Sequence, residues 1–360
     1  MKKFFVMAAL VGVALTSCMK NEVYVPTCDA PISFEVANYE AQTRANGVFA
    51  TTETFGVNAW SAYTDEEGNT TTYPLMAGEE VAYTDGKWTT GTPYYWPING
   101  TVDFIAYYPA DEAPDIAYEY DGTDTYTYED YIVGEDDLMY ADKAIRFNKN
   151  NTAAENTSGI NSGFAGVPTL FHHALAKVNF KVQNANPVDA TNSAYKYKII
   201  VNSITLNVYN QGTLTLTNDG TDDDASLGTW NKPTNEVWNP TDVNALEELI
   251  WEDDTLVLAD GTAKDYATRT QYVLPQTLVT GKQDITVDYT VIQMHNTTEI
   301  SRKRYDPVTV DLNTLGLDHW QMNKNITYTI SISKESAQIL FAPSVEEWGS
   351  AAGDDAITVQ

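Results

Sequence analysis

The chain has 360 residues, of which 43% are hydrophobic and 12% aromatic; that is material for one large core or two ordinary ones, and it excludes both a disordered chain and a disulfide-stapled miniprotein. Fifty acidic residues against 21 basic ones leave a formal charge of −29, and a surface of that sign repels phosphate backbones and anionic lipid headgroups. Nucleic acid is therefore not an expected partner.

At the start, Lys2 and Lys3 precede an apolar run over residues 4–15, the length of a signal-peptide core and too short for a membrane helix. The run ends in Leu15-Thr16-Ser17-Cys18, which resembles the bacterial lipobox: an aliphatic residue, two small ones, then a cysteine that is acylated before cleavage in front of it. Residues 1–17 then read as a lipoprotein signal peptide and Cys18 as the lipidated N-terminus, anchoring the chain to a membrane without a spanning segment, with nothing after Cys18 to say which membrane face receives it. If Cys18 carries lipid, Cys28 has no intramolecular partner in a chain with two cysteines, and packing alone holds the fold.

Strand signals follow. Ile32-Ser33-Phe34-Glu35-Val36 places Ile32, Phe34 and Val36 on one face of a strand. A Tyr94-Tyr95-Trp96-Pro97 corner and an Asn99-Gly100 turn lead into a half-buried strand over 102–107. Residues 175–182 and 200–209 alternate, and after Gly212 the run Thr213-Leu214-Thr215-Leu216 resumes as a hairpin partner would. Ile285, Val287, Tyr289 and Val291 make another stripe, as do Ile326, Tyr328, Ile330 and Ile332. The one helical pattern spans 241–251, where Val243, Leu246, Leu249 and Ile250 share a face behind a Thr241 or Asp242 cap.

Many short strands with frequent turn signals give an all-β protein of stacked β-sandwiches with a minor helix. The polar stretch 148–162 sets a division near residue 170. The expected units are a sandwich over 45–170, a second over 171–345, and a tail over 346–360.

Several segments, in order, resemble the fimbrillin family of Bacteroidales, the FimA/Mfa-like pilus subunits. They are the lipobox at Cys18, Ile32-Ser33-Phe34 ahead of Thr43-Arg44-Ala45, and Tyr95-Trp96-Pro97 with Phe104-Ile105-Ala106-Tyr107-Tyr108-Pro109. Phe171-His172-His173-Ala174-Leu175-Ala176-Lys177-Val178-Asn179-Phe180 follows, then Asn325-Ile326-Thr327-Tyr328-Thr329-Ile330 with Val345-Glu346-Glu347-Trp348. The resemblance implies two tandem transthyretin-like sandwiches, export as a lipoprotein, a trypsin-like cut that removes the first strand, and polymerisation by strand exchange. At the matching position the cut falls between Arg44 and Ala45, so that residues 18–44 form a prosegment.

Loss of the Ile32–Val36 segment would leave two unpaired edges and an apolar groove, which an extended segment of another molecule can fill by β-augmentation. The donor candidate lies at the far end, where Ile357 and Val359 form an apolar face after the small-residue hinge Gly349-Ser350-Ala351-Ala352-Gly353; the alternative for 356–360 is a frayed tail or the closing strand of its own sandwich. Residues 1–44 carry four basic and four acidic side chains, so cleavage leaves the charge at −29 and removes both cysteines. A subunit with both groove and donor suits the shaft. Expected partners, as the resemblance implies them, are other pilin subunits, the outer membrane through the lipid on Cys18 before maturation, and a host protein or glycan receptor.

Catalytic signatures are missing from the sequence. His172 and His173 are neighbours on a strand, so they point to opposite faces and suit core packing better than a metal. The loop at Asp222-Asp223-Asp224 lacks the glutamate of an EF-hand, and no phosphate-cradling loop or nucleophile elbow stands out. No cofactor is implied. The alternative reading is a surface lipoprotein that stacks glycans on exposed aromatics among its 23 tyrosines and eight tryptophans.

Overall fold

The computed structural model describes residues 27–38, 49–120, 124–150, 166–218, 228–231, 247–253, 255–334, 339–347 and 357–358. Alternating β-branched and aromatic residues build sheets almost throughout, and they enclose three apolar cores.

The first core lies in a sheet of eight strands. Its order is Met139–Ala141, Val167–His173, Phe34–Asn38, Lys87–Thr90, Thr70–Thr84, Thr54–Thr64, Thr101–Tyr108 and Ala144–Phe147. Met139–Ala141 pairs on one side with Phe171 and His172 and on the other with Tyr107 and Tyr108, so the sheet rolls round and closes on itself. Inside are Phe34, Phe49, Phe55, Trp88, Trp96, Phe104 and Phe171. Gly100 turns the chain into Thr101–Tyr108 at φ 124°, against the Ala62 carbonyl, where a side chain would collide.

The second core is a sandwich. One sheet runs Lys264–Val273, Ala176–Asn184, Lys324–Ile332, Ile339–Glu347, Ile357–Thr358; the other runs Glu247–Glu252, Tyr195–Val208, Asp284–His295, Thr298–Arg304. Val178, Phe180, Val182, Tyr328 and Ile330 from the first meet Ile204, Leu206, Ile285, Val287 and Tyr289 from the second, all buried. The stripes Ile326-Tyr328-Ile330-Ile332 and Ile285-Val287-Tyr289-Val291 face inward as their alternation requires.

Between the two lies a four-stranded sheet of Gly228–Asn231, Gln211–Asn218, Asp124–Ile132 and Asp115–Ala117. It draws strands from both sides of residue 170, and its core mixes Tyr126, Tyr128 and Leu138 with Leu175, Leu214, Leu216 and Leu274.

Two local readings are corrected. Gln211–Asn218 does not form a hairpin with Tyr195–Val208; it leaves for the shared sheet and pairs Leu214 with Tyr128 and Leu216 with Tyr126. Across the segment 241–251, the described part, Glu247–Glu252, is a strand rather than a helix, with Leu206 opposite Leu249 and Ile204 opposite Trp251. Leu249 and Trp251, the latter 3% exposed, face in while Ile250 stands 48% exposed, a period of two that a helix cannot serve. The sole helical turn among the described residues is the 3₁₀ segment Leu312–Leu315, capped by Asp311, whose side chain accepts from the Asn313 amide.

Candidate functional site: the inserted first strand

Phe34–Asn38 occupies the interior of the closed sheet. It runs parallel to Val167–His173 in an unbroken register from Val167 opposite Phe34 to Phe171 opposite Asn38, and antiparallel to Lys87–Thr90, where Phe34 faces Trp88. The chain is tied in before the strand begins: the Ile32 amide donates to the Tyr94 carbonyl at 2.8 Å, and the Val167 amide to the Ser33 carbonyl at 2.8 Å. Upstream, Thr27–Pro31 pairs with Tyr95–Pro97. Removing the strand would therefore break the closed sheet and leave two edges facing each other.

Side chains fix it as firmly as hydrogen bonds. Ile32 and Phe34 are buried, and Val36 is half-buried against the same core. Phe34 meets Phe55 and Phe104 edge-to-face, at ring separations of 5.9 and 5.6 Å, the geometry that aromatic quadrupoles favour. Gly166 closes the fit. A Cβ there would lie 2.8 Å from the Phe34 backbone carbon and 2.8 Å from the Ser33 oxygen, so only glycine lets the two backbones approach this closely.

The segment that resumes after residue 48 enters the same core. Phe49 stacks on Phe171 at 5.0 Å and meets Phe55, Trp88 and Tyr108. Phe34 and Phe49 thus share Phe55 as a neighbour, one on each side of the stretch that holds Arg44. Arg44 and Ala45 themselves lie outside the described residues, as does Cys18. Cys28 sits on Thr27–Pro31.

At the other end, Ile357–Thr358 adds to the edge of the five-stranded sheet, with Ile357 opposite Val345 and Thr358 opposite Ser344. Among the described residues it has one flanking strand and two residue pairs. Val359 and Trp348 lie outside the described residues.

A fimbrillin-like family profile matches residues 43–348, most of the chain. The chain belongs to the fimbrillin-like family. Among solved structures, this fimbrillin is similar to a fimbrial protein from Bacteroides vulgatus, with 20% identity, 88% of this chain and 99% of that one covered, and a TM-score of 0.50. A candidate cell adhesion protein from Bacteroides uniformis aligns at 19% identity over 89% and 100% of the two chains, with a TM-score of 0.48. The fimbrial anchor protein Mfa2 from Porphyromonas gingivalis aligns at 10% identity over 92% and 100%, with a TM-score of 0.27. No curated protein sequence matches the chain. Membership makes the fimbrillin a non-enzymatic structural protein of the surface fimbria type.

Its polar interior is consistent with structural work. His172 and His173 point apart: His172 Nε2 lies 2.8 Å from Asp142, and His173 bonds Asp137 on the other face. Burial pushes the Asp137 carboxyl up, with His173 opposing that shift. Among the described residues no group of three His, Cys, Asp or Glu side chains is placed to hold a metal; the Asp222–Asp224 loop is outside them. The aromatic platform of the alternative reading has little to stand on. Trp88, Trp96, Trp251 and Trp320 are buried, Trp60 and Trp230 half-buried, and the exposed rings described are Tyr63, Tyr83 and Tyr95.

The alternation of Ile32, Phe34 and Val36 predicts one strand over 32–36; the strand is Phe34–Asn38, with Ile32 in the link before it but in the same core, and their seat of Gly166, Val167, Phe171 and Trp88, as well as Phe49, is missed. The polar run before Gly166 hides that glycine as a loop residue, and Phe49 sits in no periodic stretch.

Proposed function

We propose that this fimbrillin is a pilin of the shaft type, exported as a lipoprotein on Cys18, matured by cleavage between Arg44 and Ala45, and polymerised by strand exchange. In this reading Ile32, Phe34 and Val36 leave with the prosegment. The groove between Val167–His173 and Lys87–Thr90 then accepts the segment with Ile357 and Val359 from another copy.

The observation that carries the reading is the position of Phe34–Asn38. It is an interior strand of a closed sheet, yet it belongs to the first 44 residues and is joined to the rest of the core through 39–48. Burial of a side chain such as Ile32 or Phe34 is worth about 1.5–3 kcal/mol, and each empty edge exposes unpaired amides and carbonyls. A vacated groove of this kind demands an occupant, and Ile357–Thr358, held at a sheet edge by two pairs, has little to lose by moving. Once the prosegment is gone no cysteine remains, so non-covalent strand exchange has to supply the strength of the joint.

Limited trypsin treatment of the purified precursor tests this. A new N-terminus at Ala45 together with SDS-resistant ladders and filaments in the electron microscope is the expected result. Scattered cuts with an unchanged monomer overturn it.

A further inference from the structure

Lys143, between Met139–Ala141 and Ala144–Phe147, is the one buried lysine or arginine among the described residues of this acidic chain. It is 3% exposed, beside Asp103 at 1% and Asp124 at 0%. Its Nζ lies 2.9 Å from Asp124 Oδ2, 3.7 Å from Asp103 Oδ2 and 3.2 Å from the Glu119 carbonyl oxygen. Water is kept out from above: the Tyr118 ring covers Nζ at 4.8 Å, and Trp60 stacks on Tyr118 at 4.3 Å with nearly parallel planes.

The two carboxyls are not equivalent. Asp103 accepts from the Tyr118 hydroxyl at 2.9 Å and from the Arg146 amide at 2.6 Å, in addition to facing Lys143. Asp124 accepts one amide, Glu119 N, at 2.7 Å. Two buried acids share one buried base, and a second uncompensated anion in such a place is costly. The proton that relieves it belongs on Asp124, whose carboxyl burial pushes above the usual range. A protonated carboxyl pressed against an amine, with a carboxylate at the amine's other side and no solvent, is the arrangement in which an amide can form without an enzyme.

We propose that Lys143 and Asp124 become joined by an isopeptide bond, with Asp103 handling the proton. The ammonium of Lys143 passes a proton to Asp103, and the free amine adds through its lone pair to Cγ of Asp124. The Oδ2 hydroxyl of Asp124 then leaves with one hydrogen of the amine as water. An Nζ–Cγ bond forms, a Cγ–Oδ2 bond breaks, and nothing is oxidised or reduced. Holding both partners in contact in a dry site replaces a bimolecular encounter with an internal one, which is where the rate comes from.

The bond would staple the head of Asp124–Ile132, in the shared sheet, to the closed sheet that carries the inserted strand. It would give a subunit whose cysteines both precede Arg44 a covalent brace made from other side chains.

The test is a peptide map of the denatured full-length protein. Residues 88–143 contain no internal Lys or Arg, so trypsin should fail to cut after Lys143 and yield 88–146 lighter by one water. Chymotrypsin, cutting at Tyr126, Tyr128, Tyr131 or Tyr140, should then release two pieces still joined between Asp124 and Lys143. The Lys143→Arg and Asp103→Asn proteins should both lack the branch. Wild-type protein with normal cleavage after Lys143 overturns the proposal whether or not the variants fold. So does a lost water that maps to a succinimide at Asp121-Gly122 with no branched peptide.

Discussion

The inserted strand and the C-terminal strand are opposites in the same molecule. Phe34–Asn38 has a neighbour on both sides, closes a ring of strands and buries Phe34 in an aromatic cluster; Ile357–Thr358 has, among the described residues, one neighbour and two residue pairs. The difference is one of what holds a strand. Phe34–Asn38 is kept by five residue pairs with Val167–His173, by the single Phe34–Trp88 pair on its other side and by side-chain burial, so release needs a break in the chain; an edge strand is kept by one ladder, each of whose bonds is worth about 1 kcal/mol net. A protein that trades strands between copies needs one of each kind.

Three changes bear on that contrast. Phe34→Ala should cost the uncut precursor most, about 3–5 kcal/mol in denaturant unfolding, because it empties a site enclosed by Phe55 and Phe104. Gly166→Ala should cost about 1–3 kcal/mol, since its Cβ would press on the backbone of Ser33 and Phe34 rather than on a movable side chain. Deleting residues 357–360 should change monomer unfolding least, by about 1 kcal/mol or less, while abolishing the ladders that trypsin produces. Should the deletion rival Phe34→Ala in the unfolding assay, the two strands are not held differently and the contrast fails.

What could be read in the sequence was the periodic part. Ile326-Tyr328-Ile330-Ile332 and Ile285-Val287-Tyr289-Val291 each declare a strand and a buried face, because alternation is a local property. Phe34 and Val36 declared a strand for the same reason, although Ile32 falls in the link before it. Partners are not local. Nothing near Phe34 says that Val167 will lie beside it, and nothing near Gly212 says that Leu214 will face Tyr128 rather than fold back on Val208. The 241–251 stretch misled because apolar residues at 246, 249 and 250 suit a helix as well as a short strand, and the Trp251 that decides the matter does so only once it is buried. Lys143, Asp103 and Asp124 were invisible among 50 acids, for burial and not residue type is what sets them apart.

The sheet that borrows strands from both sides of residue 170 has a mechanical consequence. Gln211–Asn218 grips Asp124–Ile132 along seven residue pairs, so the two halves are clasped by backbone rather than strung on a tether. In a filament that enters each subunit through the ring and leaves through the far edge, tension has to cross this clasp, and flexing falls to the joints between molecules. A fibre made this way would behave as a row of stiff links rather than an elastic cord.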